Sequence, residues 1–200
     1  MIPKRVVISD SFLQILQSWE SWLLRESNWK CSFPINYDPL IETSAEKLQT
    51  ILDQGRRVDV PESSYGVSCI NPINVDKFAT LNMKSITDKL RTKFRTSFHV
   101  PLVMYYPPKG FLGWHTNYLV PGPFILFTWS ETGSGYLRYR NPYTKEIETI
   151  RDLKGWDCKV GCWEPDPENE VWHSAMTECR RLSFGFRFSK DKWVEAVKTI

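Results

Sequence analysis

Residues 104–117 read MYYPPKGFLGWHTN, and residues 171–188 read VWHSAMTECRRLSFGFRF. These two stretches decide the fold. Each carries a histidine directly after a tryptophan, His115 after Trp114 and His173 after Trp172. Each histidine falls near the end of a short run of apolar residues with turn residues nearby, the signature of a strand. Outward from them the same texture repeats from about Ser97. FHVPLVMYY, FILFTWS, GYLRYRN, KEIETI and CKVGCW are further strand-like runs, separated by the turn signals PPKG, PGP, ETGSG, NPYT and EPDPEN. Several short strands at this spacing argue for a sandwich, a jelly roll or a barrel.

The chain before residue 97 has a different period. In SFLQILQSWESWLL, Phe12, Ile15, Leu16, Trp19, Trp22 and Leu23 follow the i, i+3, i+4, i+7 template of an amphipathic helix. Ser11 with Gln14 reads as its capping box. SAEKLQTILDQ predicts a second helix, with Thr43 and Glu46 as a cap and Gly55 as a stop. VDKFATLNMKSITDKLRTKF predicts a third, with Ala79, Met83, Ile86, Leu90 and Phe94 on one stripe. DKWVEAVKTI reads as a last short helix. The expected class is mainly β with flanking helices (α+β). One domain spans 1–200: a largely helical buttress over 1–96, a β core over 97–188 and a C-terminal helix over 189–200.

Composition narrows the function. Two hundred residues with 42% hydrophobic and 24% charged content are ordinary globular values. A chain of this length can bury a core without disulfides. Lys plus Arg number 26 against 23 Asp plus Glu, a net charge of +3. That balance argues against a large phosphate-backbone footprint, although nucleic acid is not excluded. The cysteines are Cys31, Cys69, Cys158, Cys162 and Cys179, an odd count with no CxxC pair, which reads as free thiols. Cys158 and Cys162 lie four apart on a predicted strand and read as buried small apolar residues. No apolar run is long enough for a membrane span and no secretory leader is evident, so a soluble cytoplasmic protein is expected.

His99, His115 and His173 are the three histidines. His99 reads as structural. On a strand, residues two apart share a face, so His115 and Asn117 are expected to point together and Thr116 away. If the β core brings His173 beside them, two imidazoles and an amide oxygen converge. That is close to the facial 2-His-1-carboxylate arrangement of non-haem Fe(II) sites. Eight residues after His173, Arg181, Ser183, Gly185 and Arg187 share one strand face, and Leu182, Phe184, Phe186 and Phe188 the other. A face with a guanidinium at each end and small residues between is a slot for a small dicarboxylate. Trp114 and Trp172 alternate with the histidines and should pack away from them. Trp129 and Tyr136 are candidates for a substrate entrance or for aromatic core.

The segments MYYPPKGFLGWHTN, VWHSA and CRRLSFGFRF resemble the 2-oxoglutarate/Fe(II)-dependent oxygenase superfamily. The nearest patterns are the AlkB-type dioxygenases and the prolyl 4-hydroxylases, together with small oxygenase-like proteins of bacteria and phages that carry a WHTN motif. The resemblance spans roughly the last hundred residues. It implies a double-stranded β-helix (a jelly roll) with Fe(II) held by His115, Asn117 and His173. It implies 2-oxoglutarate as cosubstrate, its distal carboxylate on Arg181, with Tyr106 and Arg187 in the positions of further contacts and Ser183 beside them. O₂ and a substrate, whether peptide, nucleobase or small molecule, would complete the reaction. The chain departs from the superfamily in one place: His-x-Asn stands where His-x-Asp or His-x-Glu is the rule. An amide brings no negative charge, so iron is expected to bind more weakly. A water or an anion could stand in for the missing acid, as in halogenating relatives. The alternative is a non-catalytic or degenerate jelly-roll binding or structural protein, of phage-associated type, that has lost the acidic ligand. A third reading is a cupin-like metalloenzyme with no oxo-acid cosubstrate.

Overall fold

A computed structural model describes residues 1–23, 37–68 and 77–200. Cys31 and Cys69 lie outside the described residues, as do the side chains of Trp19, Trp22, Leu23, Ala79 and Met83 from the predicted helix stripes. The chain runs β1 (Lys4–Val6), α1 (Asp10–Leu23), α2 (Pro39–Glu42), α3 (Ala45–Asp53), β2 (Ser64–Tyr65), β3 (Val67–Ser68) and α4 (Lys77–Phe94). It continues through β4 (His99–Tyr106), β5 (Phe111–His115), β6 (Gly122–Ser130), β7 (Gly135–Arg140), β8 (Ile147–Arg151), β9 (Gly155–Trp163), β10 (His173–Thr177), β11 (Arg181–Arg187) and α5 (Lys190–Thr199).

The fold is mainly β, with two antiparallel sheets and a few helices. One sheet has the order β1-β9-β6-β11-β4-β3 and the other β2-β5-β10-β7-β8. Strand patterning explains the layers. On β11, Leu182, Phe184 and Phe186 face outward from the inter-sheet space into a cluster with Phe12 and Leu16 of α1, Leu90 and Phe94 of α4 and Ala196 of α5. The alternate residues Arg181, Ser183, Gly185 and Arg187 face the cavity between the sheets. Three helices therefore cover the outer side of the six-stranded sheet. On the other side, Leu48 and Ile51 of α3 pack on Trp114 and Trp172, which turn away from their neighbouring histidines. Trp129 belongs to the helix-covered cluster, and Tyr136 packs on Tyr65, Phe111 and Met176. Both are core aromatics and neither lines the cavity.

Three expectations change. The predicted helical half also contributes edge strands: β1 pairs with β9, β2 with β5 and β3 with β4. These strands are two or three residues long, too short for an alternation signal. The first helix begins at Asp10, not after Ser11, with the Ser9 carbonyl accepting from the Phe12 and Leu13 amides at 3.0 and 2.9 Å. The cap of α3 is Ser44, whose Oγ accepts from the Lys47 amide at 3.1 Å. Thr43 is instead the C-cap of α2, and its hydroxyl donates to the Pro39 carbonyl at 2.7 Å. Gly55 ends α3 as expected, at φ +64°, with its amide on the Leu52 carbonyl.

The inter-sheet space also holds a chain of buried charges. Arg181 Nε donates to Asp152 at 2.8 Å, and Lys159 Nζ donates to Asp152 at 2.8 Å and to Asp157 at 2.6 Å. The side chains of Arg181, Lys159, Asp152 and Asp157 are at most 2% exposed. Two cations meet two anions, and Arg5 reaches Asp157 from the surface at 3.6 Å. Burial by itself would raise the Asp152 carboxyl, but the Arg181 and Lys159 charges outweigh it and hold the group below its ordinary value.

Phe94 lies 5.0 Å from Phe12 and 5.3 Å from Phe188, centroid to centroid, at the centre of the helix–sheet interface. Phe94→Ala is expected to cost about 3–5 kcal/mol in urea denaturation, and a loss under about 1 kcal/mol would contradict this packing. Asp152→Ala leaves two buried cations short of a partner and is expected to cost about 3–5 kcal/mol. Because the folded Asp152 titrates below the unfolded value of about 4, its contribution is present above that pH and disappears as pH falls through the lower folded value. Denaturation midpoints of parent and variant should therefore stay apart at neutral pH and converge only below about pH 4.

Candidate functional site

The site begins with strand register. β5 and β10 are antiparallel neighbours, and His115 is the direct cross-strand partner of His173. Their ring centroids are 4.1 Å apart, tilted by 48°. His115 ends β5 and His173 opens β10, so both rings stand at the same end of the sheet. Each ring is fixed in the same way. His115 Nδ1 lies 2.8 Å from the Gly113 carbonyl, and His173 Nδ1 lies 3.0 Å from the Val171 carbonyl. A carbonyl only accepts, so Nδ1 carries the proton in both and the Nε2 lone pairs are left to face the cavity. Gly113 must be glycine here: a Cβ would come within 2.8 Å of Ser63 Oγ and 3.0 Å of the Ser63 carbonyl.

Both imidazoles are buried, 5% and 6% exposed. Burial pushes the His115 ring down to about 4. Burial, reinforced by the charge His115 would carry, holds His173 well below its ordinary value. Both are neutral at pH 7, the state a metal requires of an imidazole.

Asn117 joins them, though not by strand alternation. The strand stops at His115, and Asn117 sits at φ +59°, the left-handed region that asparagine tolerates better than most residues. Segment 58–59 clamps this turn: the Thr116 and Asn117 amides donate to the Val58 and Asp59 carbonyls at 2.8 and 3.0 Å. Asp59 Oδ1 accepts from the Leu119 amide at 2.7 Å. The result is an Asn117 amide 2.9 Å from His173 Nε2, donating to its lone pair.

All seven site residues expected from the sequence line one cavity of about 110 Å³ between the sheets: His115, Asn117, His173, Tyr106, Arg181, Ser183 and Arg187. The Arg181 guanidinium is spoken for on two sides. Its Nε is on Asp152, and its Nη1 donates to Ser183 Oγ at 2.7 Å. Its Nη2 is buried without a hydrogen-bond partner, and so is the hydroxyl of Ser174, which lines the same cavity. Tyr106 lies under Arg181, 5.1 Å from ring centroid to guanidinium carbon, while Tyr105 packs in the helix-covered core. Arg187 Nε donates to the Val120 carbonyl at 3.2 Å. Arg180 points the other way and pairs with Glu131 at 2.7 Å.

Three neighbours have no signature in the sequence. Trp163 stacks on His173 with centroids 3.9 Å apart and planes within 6°. Asp152 orients Arg181, and Asp59 holds the Asn117 turn. Each acts from a different segment of the chain, with no fixed spacing to the residue it supports.

The residues fit a divalent metal in part and a carboxylate well. Two fixed, neutral Nε2 donors share one cavity, and an orphaned buried guanidinium N–H wants an acceptor. The third position offers an amide and no anion, and among the described residues no group of three His, Cys, Asp or Glu side chains comes together.

No helix among the described residues is long and apolar enough to cross a membrane. No family model and no curated protein matches the chain. Among solved structures, the chain is similar to a prolyl-4-hydroxylase from Pseudomonas putida at 13% identity and a TM-score of 0.37, over 88% of this chain and 100% of that one. It is similar to a Trichoplax adhaerens prolyl hydroxylase in complex with a peptide fragment of the hypoxia inducible factor oxygen degradation domain. There the identity is 10% and the TM-score 0.40, over 94% and 97% of the two chains. A viral collagen prolyl hydroxylase from Paramecium Bursaria Chlorella virus-1, in its 2OG complex, is similar at 11% identity and a TM-score of 0.33, over 80% and 94%.

Proposed function

We propose that the chain is an Fe(II)- and 2-oxoglutarate-dependent oxygenase built on a double-stranded β-helix. The strand order supports the fold. β9-β6-β11-β4 in one sheet and β5-β10-β7-β8 in the other are the order of eight strands that cross between two facing sheets at every step but the β7–β8 hairpin, where the chain doubles back within one sheet. The observation that carries the function is the pair of imidazoles, His115 and His173, each fixed through Nδ1 on a carbonyl, in one cavity with Arg181, whose buried Nη2 has no hydrogen-bond partner.

In this reading His115 Nε2 and His173 Nε2 hold the metal, with the amide oxygen of Asn117 as third donor after the side chain turns over. Bound iron with its cosubstrate supplies the activation of O₂ that couples decarboxylation of 2-oxoglutarate to hydroxylation of a substrate. The protein's residues do the rest. The Gly113 and Val171 carbonyls keep the rings in one tautomer and one orientation. Arg181 Nη2 receives the distal carboxylate, with Ser183 and Tyr106 shaping that end. Leu102, Leu126 and Leu137 wall the cavity against water. Outside it, the turn after Asn117 exposes Leu119 and Val120, an apolar rim past which a peptide or small-molecule substrate would approach.

A second reading, a jelly-roll binding protein that holds no metal, draws on one contact: the Asn117 amide already satisfies His173 Nε2. Metal affinity separates the two. Mn(II) in the presence of 2-oxoglutarate is expected to bind the parent, and His115→Ala or His173→Ala should abolish both binding and metal-dependent succinate formation. Arg181→Ala should raise the 2-oxoglutarate requirement by about tenfold or more, the worth of a charged hydrogen bond. Asn117→Asp restores the missing charge and should tighten Mn(II) binding by about tenfold or more. Unchanged metal binding in either histidine variant would remove the assignment, and a parent that binds no metal would leave the binding-protein reading.

A further inference from the structure

The charges around the cavity do not balance. Its lining contains two cations, Arg181 and Arg187, and no carboxylate. Arg181 is neutralised by the buried chain through Asp152, Lys159 and Asp157. Arg187 has no acidic partner among the described residues. Its Nε is on the Val120 carbonyl, and its guanidinium carbon lies 5.7 Å from the ring centroids of both Phe124 and Trp163. Trp163 is itself stacked on His173, so this cation stands one ring away from the histidine pair. Two neutral imidazoles and an amide add nothing to offset it. Burial lowers the Arg187 guanidinium to about 9, which leaves it charged at neutral pH.

A confined cation without a counter-charge is costly, and an anion from solution removes that cost. A divalent metal entering the same space alone makes it worse. We propose, on the oxygenase reading above, that the cavity is an anion site before it is a metal site. A small dicarboxylate of the 2-oxo-acid class is held by Arg187, with the open Nη2 of Arg181 at its other end, when no metal is present. The metal's affinity then depends on that anion. The sign follows from the count of formal charges. The cavity carries about +1 empty, about +3 with a dication alone, about −1 with the dianion alone and about +1 with both. The dianion therefore binds by itself, and the dication gains a countercharge only after it. The missing acid at Asn117 and the cation at Arg187, which has no acidic partner among the described residues, shift the site in the same direction.

The test is calorimetric titration of 2-oxoglutarate into the full chain in excess EDTA, with thermal melting as a second readout. Saturable binding and a raised melting temperature are expected. Arg187→Gln should weaken binding by about tenfold or more while leaving the ligand-free melting temperature as high as the parent's or higher, since it removes a half-buried charge that has no acidic partner among the described residues. Arg187→Lys keeps the charge but not the planar fork and should bind more tightly than Arg187→Gln. Absence of binding in EDTA, or an Arg187→Gln variant that binds as tightly as the parent, would overturn the proposal. Two further outcomes separate it from the oxygenase reading. Mn(II) that binds the ligand-free protein as tightly as the oxo-acid-loaded protein overturns the anion-first order and leaves the oxygenase standing. Mn(II) that fails to bind the oxo-acid-loaded protein removes the oxygenase and leaves the anion site in place.

Discussion

Antiparallel pairing of the strands that end at His115 and begin at His173 is the constraint on which the site depends. A slip of one residue in that register would turn one imidazole to the opposite face, into the layer where Trp114 and Trp172 pack on α3. The two tryptophans thus do for the register what the histidines cannot. They bury apolar area on one face, and that burial obliges the neighbouring polar rings to face the other. The two buried rings stand 4.1 Å apart, each tied through Nδ1 to a carbonyl two residues back.

The second constraint is electrostatic. An arginine as deeply buried as Arg181 persists because Asp152 meets it, and Asp152 is shared with Lys159, which Asp157 completes. The arrangement ties β11 to β9 and to the loop between β8 and β9. It also leaves Nη2 of the guanidinium without a hydrogen-bond partner in a residue that lines the cavity. Arg187 has none of this support. The same strand face therefore presents one balanced cation and one unbalanced cation at opposite ends of a small space, an asymmetry that governs which ligand arrives first.

Much of this was legible in residues 97–188. Alternation along RRLSFGFRF separates the aromatic face from the arginine face, because period two is strict on a strand. The paired Trp-His contexts mark two strands, and the fold makes those strands neighbours in one sheet. Other features needed the third dimension. Asn117 meets His173 through a left-handed turn held by residues 58 and 59, where simple alternation had placed it on the strand with His115. Asp152, Lys159 and Trp163 were invisible as site residues because their partners lie far along the chain. Thr43 looks like a cap in sequence, but a four-residue helix just before it makes Ser44 the cap. Helices of that length and strands of two residues carry too few positions for periodicity to register.

The central claim is that His115 and His173 bind one ion together. Pulsed electron paramagnetic resonance of the Cu(II)-loaded protein reads it most directly, since each coordinated imidazole contributes the modulation of its remote nitrogen. Two imidazoles are expected on the metal in the parent, and the site-bound signal should be lost in His173→Ala. A parent spectrum with one imidazole or none would contradict it.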